Sequence, residues 1–260
     1  MDIPTDSFKQ IDRDHMLGLE KGLAVIACFD ADHQRLTIAD VARMTGLTRA
    51  TARRCLITLN RIGYAETDGK FFRLTPRVLK LGYAYLSSTP LTAILQSALE
   101  RLSEAIGESC SASILDGNEI VYVARSATKR IMSVGLSVGA RLPAFCTSMG
   151  RVLLATLPEE TARRHVETSV RRPLTPKTRT EVSAIMAAIA AARSDGFAII
   201  DQELEIGLTS IAVPVIDIRG RTLAAVNVGT HATRFSPDML VRDLLPKLRT
   251  VQAELSRIIG

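Results

Sequence analysis

The stretch Thr37-Ile38-Ala39-Asp40-Val41-Ala42-Arg43-Met44-Thr45-Gly46-Leu47-Thr48-Arg49-Ala50-Thr51-Ala52-Arg53-Arg54-Cys55-Leu56 decides how the first third of this chain is read. Thr37 suits an N-cap, and the helix it opens, 38–44, places Ile38, Val41 and Ala42 on one face. Gly46 suits the left-handed residue that ends a helix. Thr48 then caps a second helix that runs to about Arg61 and stops at Gly63. At 100° per residue, Ala52, Cys55, Leu56, Leu59 and Ile62 form an inward flank of this helix. Arg49, Ala50, Arg53, Arg54, Ile57 and Arg61 fall on the opposite face.

Outward from this core, Leu19, Leu23, Val25, Ile26 and Phe29 give an apolar stripe that predicts a preceding helix. On the other side, 64–67 and 71–74 are strand-like and joined through Asp68-Gly69, a strong hairpin signal. Helix, helix, tight turn, helix and hairpin together predict a winged helix-turn-helix. Residues 33–80 hold ten Lys/Arg against three Asp/Glu, a surplus of seven positive charges. Residues 1–32 hold three against seven, and the rest of the chain has a surplus of only three. A basic block in an otherwise balanced chain points to a polyanion such as double-stranded DNA.

Arginines can fork onto guanine edges, and a small alanine allows close approach to the major groove. Arg49, Ala50, Arg53 and Arg54 are therefore the base-edge candidates. Thr48 and Thr51 suit phosphate contacts, Lys70 and Arg73 on the wing suit the DNA backbone, and Thr37 completes the DNA-binding set. Two other readings stay open here: a merely solvated basic face, and a winged-helix adaptor that binds protein. Salt dependence of binding separates them.

The 260 residues allow two domains. The pattern divides them into a polar tail at 1–16, the winged helix-turn-helix at 17–76, a helical linker at 77–90 and a second domain at 91–260. Apolar residues make up 47% and aromatics 4%, with no tryptophan, so an aliphatic core is expected. The longest apolar runs are too short to cross a bilayer and the N-terminus lacks the pattern of a secretory signal, which implies a cytoplasmic protein. Cys28, Cys55, Cys110 and Cys146 form no C-x-x-C pair, so neither a metal nor a cofactor is expected.

The second domain predicts a helix at 91–106, then strands near 109–115, 119–125 and 131–138. A loop at 139–149 precedes helices near 150–156, 159–168 and 180–193. Strands near 197–201, 210–216 and 222–229 lead to a last helix capped by Ser236 with Pro237 in first position. Hairpins mixed with helices imply the α+β class with a mainly antiparallel sheet. The run Cys146-Thr147-Ser148-Met149-Gly150-Arg151 enters a helix, where hydroxyls, free N–H groups and a positive helix end suit a carboxylate. In this reading Gly150 permits close approach and Arg151 supplies charge. The alternative is that Thr147 and Ser148 cap the helix, Met149 fills the core and Arg151 pairs with Asp201 or Glu203. Arg125 and Met132 are further wall candidates. Cys146 beside Thr147 and Ser148 raises an enzyme reading, but no histidine lies in a partner motif, and P-loop, dinucleotide and nucleophile-elbow motifs are missing.

Gly18-Leu19-Glu20-Lys21-Gly22-Leu23, Thr37-Ile38-Ala39-Asp40-Val41-Ala42, Gly46-Leu47-Thr48-Arg49-Ala50-Thr51-Ala52-Arg53-Arg54 and Leu74-Thr75-Pro76-Arg77-Val78-Leu79 resemble the IclR family of bacterial regulators. Ser148-Met149-Gly150-Arg151, Asp201-Gln202-Glu203-Leu204-Glu205 and Val226-Asn227-Val228 continue the likeness. It implies a GAF-like effector domain and a dimer, or a tetramer of two dimers. It also implies a transcription regulator that adjusts operator binding or contact with RNA polymerase through a small effector. By the same resemblance, Asp201, Glu203, Ser210, Asn227 and Gly229 border the effector cavity. The loop at 141–151 is similar to the branch that controls aromatic-acid breakdown through the β-ketoadipate pathway. The implied effector is protocatechuate, 4-hydroxybenzoate or a dicarboxylate such as β-ketoadipate.

Overall fold

Local capping sets the N-terminal elements. The Thr37 hydroxyl accepts from the Asp40 amide while the Asp40 carboxylate accepts from the Thr37 amide, a closed box that starts one helix. Gly46, at φ 70°, ends that helix in the left-handed region, and Thr48 caps the next by accepting from the Thr51 amide. The computed structural model describes residues 14–88, 90–128 and 136–258, and the chain divides into two compact units between Ala84 and Tyr85.

In the first unit, α1 (Leu17–Ile26), α2 (Ile38–Thr45) and α3 (Arg49–Arg61) precede a hairpin of β1 (Ala65–Thr67) and β2 (Phe72–Leu74). Val25, Leu36, Val41, Ala52, Leu56 and Phe72 form its core, and Leu36 bridges Phe72 to tie the hairpin back to the helices. Ile62 departs from the expected inward flank: it caps the end of α3 and stays exposed.

The chain continues through α4 (Leu79–Ser88) and α5 (Pro90–Ile106). In the second unit, six strands pair in the order β5-β4-β3-β8-β7-β6, every pair antiparallel. They are β3 (Ser109–Asp116), β4 (Glu119–Ser126), β5 (Arg141–Pro143), β6 (Ala198–Asp201), β7 (Leu208–Ile216) and β8 (Thr222–His231). Three helices, α6 (Ser148–Ala155), α7 (Glu159–Thr168) and α8 (Val182–Asp195), separate β5 from β6. The chain closes with α9 (Pro237–Met239), a π-helical turn (Leu240–Leu244) and α10 (Leu245–Ile258).

Strand alternation divides two cores. Cys110, Ala112, Ile211, Val213, Val226 and Val228 pack on one face with Leu95, Leu99 and Leu102 of α5 and Leu248 and Leu255 of α10. On the other face, Ala212 and Ala225 meet Met149, Val152 and Leu153 of α6 and Ile185 and Ile189 of α8. The region expected as a strand near 131–138 lies partly outside the described residues, as does Met132, and 136–138 are not in a strand. The edge strand is instead β5, inside the expected loop. It is three residues long and closed by a proline, too short for an alternation to register.

Candidate nucleic-acid interface and effector cavity

On α3, Arg49, Ala50, Arg53, Arg54 and Arg61 are exposed, while Ala52, Leu56 and Leu59 are buried on the reverse side. No side chain among the described residues pairs with Arg49, Arg53, Arg54 or Arg61. This is one cationic face whose guanidinium donors are left available by the described residues. The threonines differ: the Thr48 and Thr51 hydroxyls lie 2.9 Å apart within the cap, and the Thr37 hydroxyl donates to Asp40 at 2.7 Å. On the wing, Lys70 lies over the Phe71 ring and Arg73 pairs with Glu66.

In the second unit, the face of the sheet under α6 holds a narrow cavity with a free volume of about 30 Å³. Strand register explains its walls. Ser109, Gly229, Ser210 and Ile200 form one cross-strand row, and Arg125, Ser111 and Asn227 the next. Tyr122 and Ser113 follow. Residues three apart on a regular strand face opposite ways, yet Tyr122 and Arg125 both line the cavity. The register shifts between Ala112 and Ser113, leaving Val123 as the extra residue of a bulge that returns Arg125 to the cavity side. Thr147, Ser148 and Met149 at the start of α6 close the opposite wall with Leu204 and Leu208.

Most polar groups here are already satisfied. Arg125 donates to Ser111 at 3.0 Å, and Ser148 and Ser210 share a hydrogen bond of 2.9 Å. Thr147 accepts from Gly150 as the cap of α6 and donates to the Pro143 carbonyl, which is the capping role weighed from sequence. Ser113 donates to the Met149 sulfur. Burial pushes the Tyr122 hydroxyl up to about 12, against the pull of Arg125, so it stays a neutral donor at physiological pH.

Of the sequence candidates, Thr147, Ser148, Met149, Ser210, Asn227 and Gly229 line the cavity, as does Arg125. Cys146, Gly150, Arg151, Asp201 and Glu203 do not. Arg151 is 2% exposed and binds Glu203 through two hydrogen bonds of 2.7 and 2.8 Å, with the Phe145 carbonyl as a third partner. Its charge is thus consumed inside the protein. Burial holds this guanidinium below its ordinary pKa, and the Glu203 carboxylate pulls the other way. Asp201 follows the cavity-facing Ile200 by one residue, so alternation turns it to the far side, where it meets Lys177 and Thr209. Gly150 does allow a close approach, but to backbone: an added Cβ would sit 2.1 Å from the Ala144 carbonyl oxygen. Burial pushes the Cys146 thiol up to about 12, so it is not the thiolate that an enzyme nucleophile needs. Ser109, Ser111, Tyr122, Ile200 and the three leucines Leu136, Leu204 and Leu208 were missed. The period-two run Ser109-x-Ser111-x-Ser113 was the signal that would have found the serines.

Residues 18–69 match the IclR helix-turn-helix domain, and residues 83–257 match the C-terminal domain of bacterial transcriptional regulator IclR. The chain belongs to the IclR family. The Pca regulon regulatory protein of Pseudomonas putida is 45% identical over 94% of this chain and 84% of its own length. A solved Rhodococcus sp. RHA1 structure, described as a transcriptional regulator, is 51% identical over 94% of this chain and 98% of that one, with a TM-score of 0.80. The inducer-binding domain of an Acinetobacter PobR double mutant, solved with 3-hydroxybenzoic acid, is 34% identical over 65% of this chain and 98% of that one, with a TM-score of 0.61. IclR proteins are transcriptional regulators rather than enzymes, and the enzyme and adaptor readings find no support. No helix among the described residues is long and apolar enough to cross a membrane.

Proposed function

We propose that this chain controls genes of aromatic-acid catabolism, and that a small organic acid bound in the sheet cavity sets its operator binding or activity. The observation that carries this reading is Arg125, a guanidinium brought by a strand bulge into an otherwise neutral slot. A carboxylate seated there gains a charge-assisted pair, and the amide end of α6 adds a favourable dipole. The narrow slot between β-strands and apolar Met149, Leu204 and Leu208 favours a planar aromatic acid over a flexible dicarboxylate of the β-ketoadipate type. The likeness to an inducer-binding domain solved with 3-hydroxybenzoic acid supports the same class.

The DNA-binding part of the proposal assigns base edges to Arg49, Ala50, Arg53 and Arg54, and backbone phosphates to Lys70 and Arg73. Thr48 and Thr51, held in the cap, serve by orienting the first turn of α3, and Thr37 does the same for α2. A dimer in the cytoplasm, or a tetramer built from two, would present paired copies of α3 to half-sites about one helical turn (~34 Å) apart. The helical stretch at 77–90 would then carry the effector's influence from the 91–260 domain to the 17–76 domain, with RNA polymerase as a second point of control.

The test is thermal unfolding of the full chain with aromatic acids and dicarboxylates. A true effector at one hundred times its Kd stabilises by about 2.7 kcal/mol and raises the transition of the second unit. It should also change operator affinity in the same concentration range. The aromatic reading fails if only dicarboxylates shift the transition. The effector reading fails if neither class does so.

A further inference from the structure

The polar groups around the cavity do not all find partners, and the exceptions lie together. Ser109, Ser111, Ser113, Thr147, Ser148, Ser210 and Arg125 are all engaged with protein atoms. The Asn227 amide, only 8% exposed, has no partner among the described residues, and its Oδ1 is buried outright. The Tyr122 hydroxyl, in the adjoining row, has none either. A buried amide without a partner is rare in native proteins and marks a place where something else completes it.

Resting on the effector reading above, we infer that Asn227 is the specificity-determining residue of the cavity: its amide reads a hydroxyl on the aromatic ring, while Arg125 holds the carboxylate. Register gives the arrangement. Arg125, Ser111 and Asn227 are direct neighbours on β4, β3 and β8 and share one face. The guanidinium donates to Ser111, whose neighbour on β8 is Asn227, so a ring lying across this row presents its carboxylate to Arg125 and a ring hydroxyl to the amide. A hydroxyl both donates and accepts, so it satisfies the amide whichever way the amide is turned, whereas a C–H leaves it unpaired. Tyr122 supplies a second neutral donor for the phenolic oxygen or the carboxylate. An acid without the hydroxyl leaves the buried amide stranded, which weakens binding by about 10- to 100-fold.

Calorimetric titration of the full-length protein with benzoate, 3-hydroxybenzoate, 4-hydroxybenzoate and protocatechuate tests this. The wild type should bind at least one hydroxylated acid about 10-fold or more tighter than benzoate. Asn227→Leu should abolish that preference, bringing the affinities for benzoate and the hydroxylated acid within about 3-fold of each other. Equal wild-type affinity for benzoate and all three hydroxylated acids, or an undiminished preference in Asn227→Leu, overturns the role of Asn227 and leaves the effector site standing. Failure of all four acids to bind the wild type overturns both. Should Asn227→Leu not fold, as judged by its melting curve, Asn227→Ala decides by the same ratio.

Discussion

Arg53 and Arg54 carry the most weight of any single residues, because each guanidinium has five donors and no partner among the described residues, which leaves it open to an acceptor on DNA. Replacing either with alanine should weaken operator binding by about 1–3 kcal/mol at fixed salt, with the far-ultraviolet spectrum unchanged. Unaltered binding by both variants would remove α3 from the interface. Arg151 is the opposite case. Its charge is spent on Glu203 in the core, so Arg151→Met leaves that buried carboxylate with only Arg179, its side chain 3.6 Å away and its amide donating, and should destabilise the second unit by up to about 3 kcal/mol. Adding Glu203→Leu should restore most of that loss, as read from urea unfolding. If the double variant is no more stable than the single one, the pair is not the origin of the effect.

At the scale of elements, capping and register explain most of what is seen. The hydroxyl and amide of Thr37 donate to Asp40 and hold its carboxyl below the usual carboxylate range. A depressed folded-state pKa means that this stabilisation is complete above the unfolded value, about 3.9, and is lost as pH falls through the lower folded one. In the full chain, an NMR titration of Asp40 should show its midpoint rising in Thr37→Val, and an unmoved midpoint would deny the box its electrostatic part. The first unit was legible because each of its signals is local: cap, glycine stop, arginine face and Asp-Gly turn all lie within a few residues. The sheet cavity was only half legible. Thr147, Ser148 and Met149 announced themselves by entering a helix, but the placement of Arg125 depends on a bulge at Val123. The bulge follows from pairing with a partner strand and leaves no periodic mark. Asp201 was misplaced for a related reason, since its face is fixed by the register of β6 on β7. Arg151 and Glu203, 52 residues apart, meet only once the fold is complete.

For the whole molecule, charge is concentrated where the account needs it. A surplus of seven positive charges lies within residues 33–80. The second unit buries the bidentate Arg151–Glu203 pair and keeps Arg125 in the cavity. An effector acid and DNA should therefore be distinguishable by salt: operator affinity should fall steeply with ionic strength, and acid binding in the enclosed cavity only weakly. The most direct test of the central claim, that the arginine face of α3 enters a DNA groove, is the salt slope of binding to a duplex that the protein itself selects from random sequences. For the wild type, log K against log salt should be linear and steep, with about −0.9 contributed by each phosphate neutralised. Arg53→Ala should lower affinity for the selected duplex while leaving affinity for unrelated duplexes nearly unchanged. A flat salt response, or a selected duplex bound equally well by Arg53→Ala and Arg54→Ala, would contradict the account.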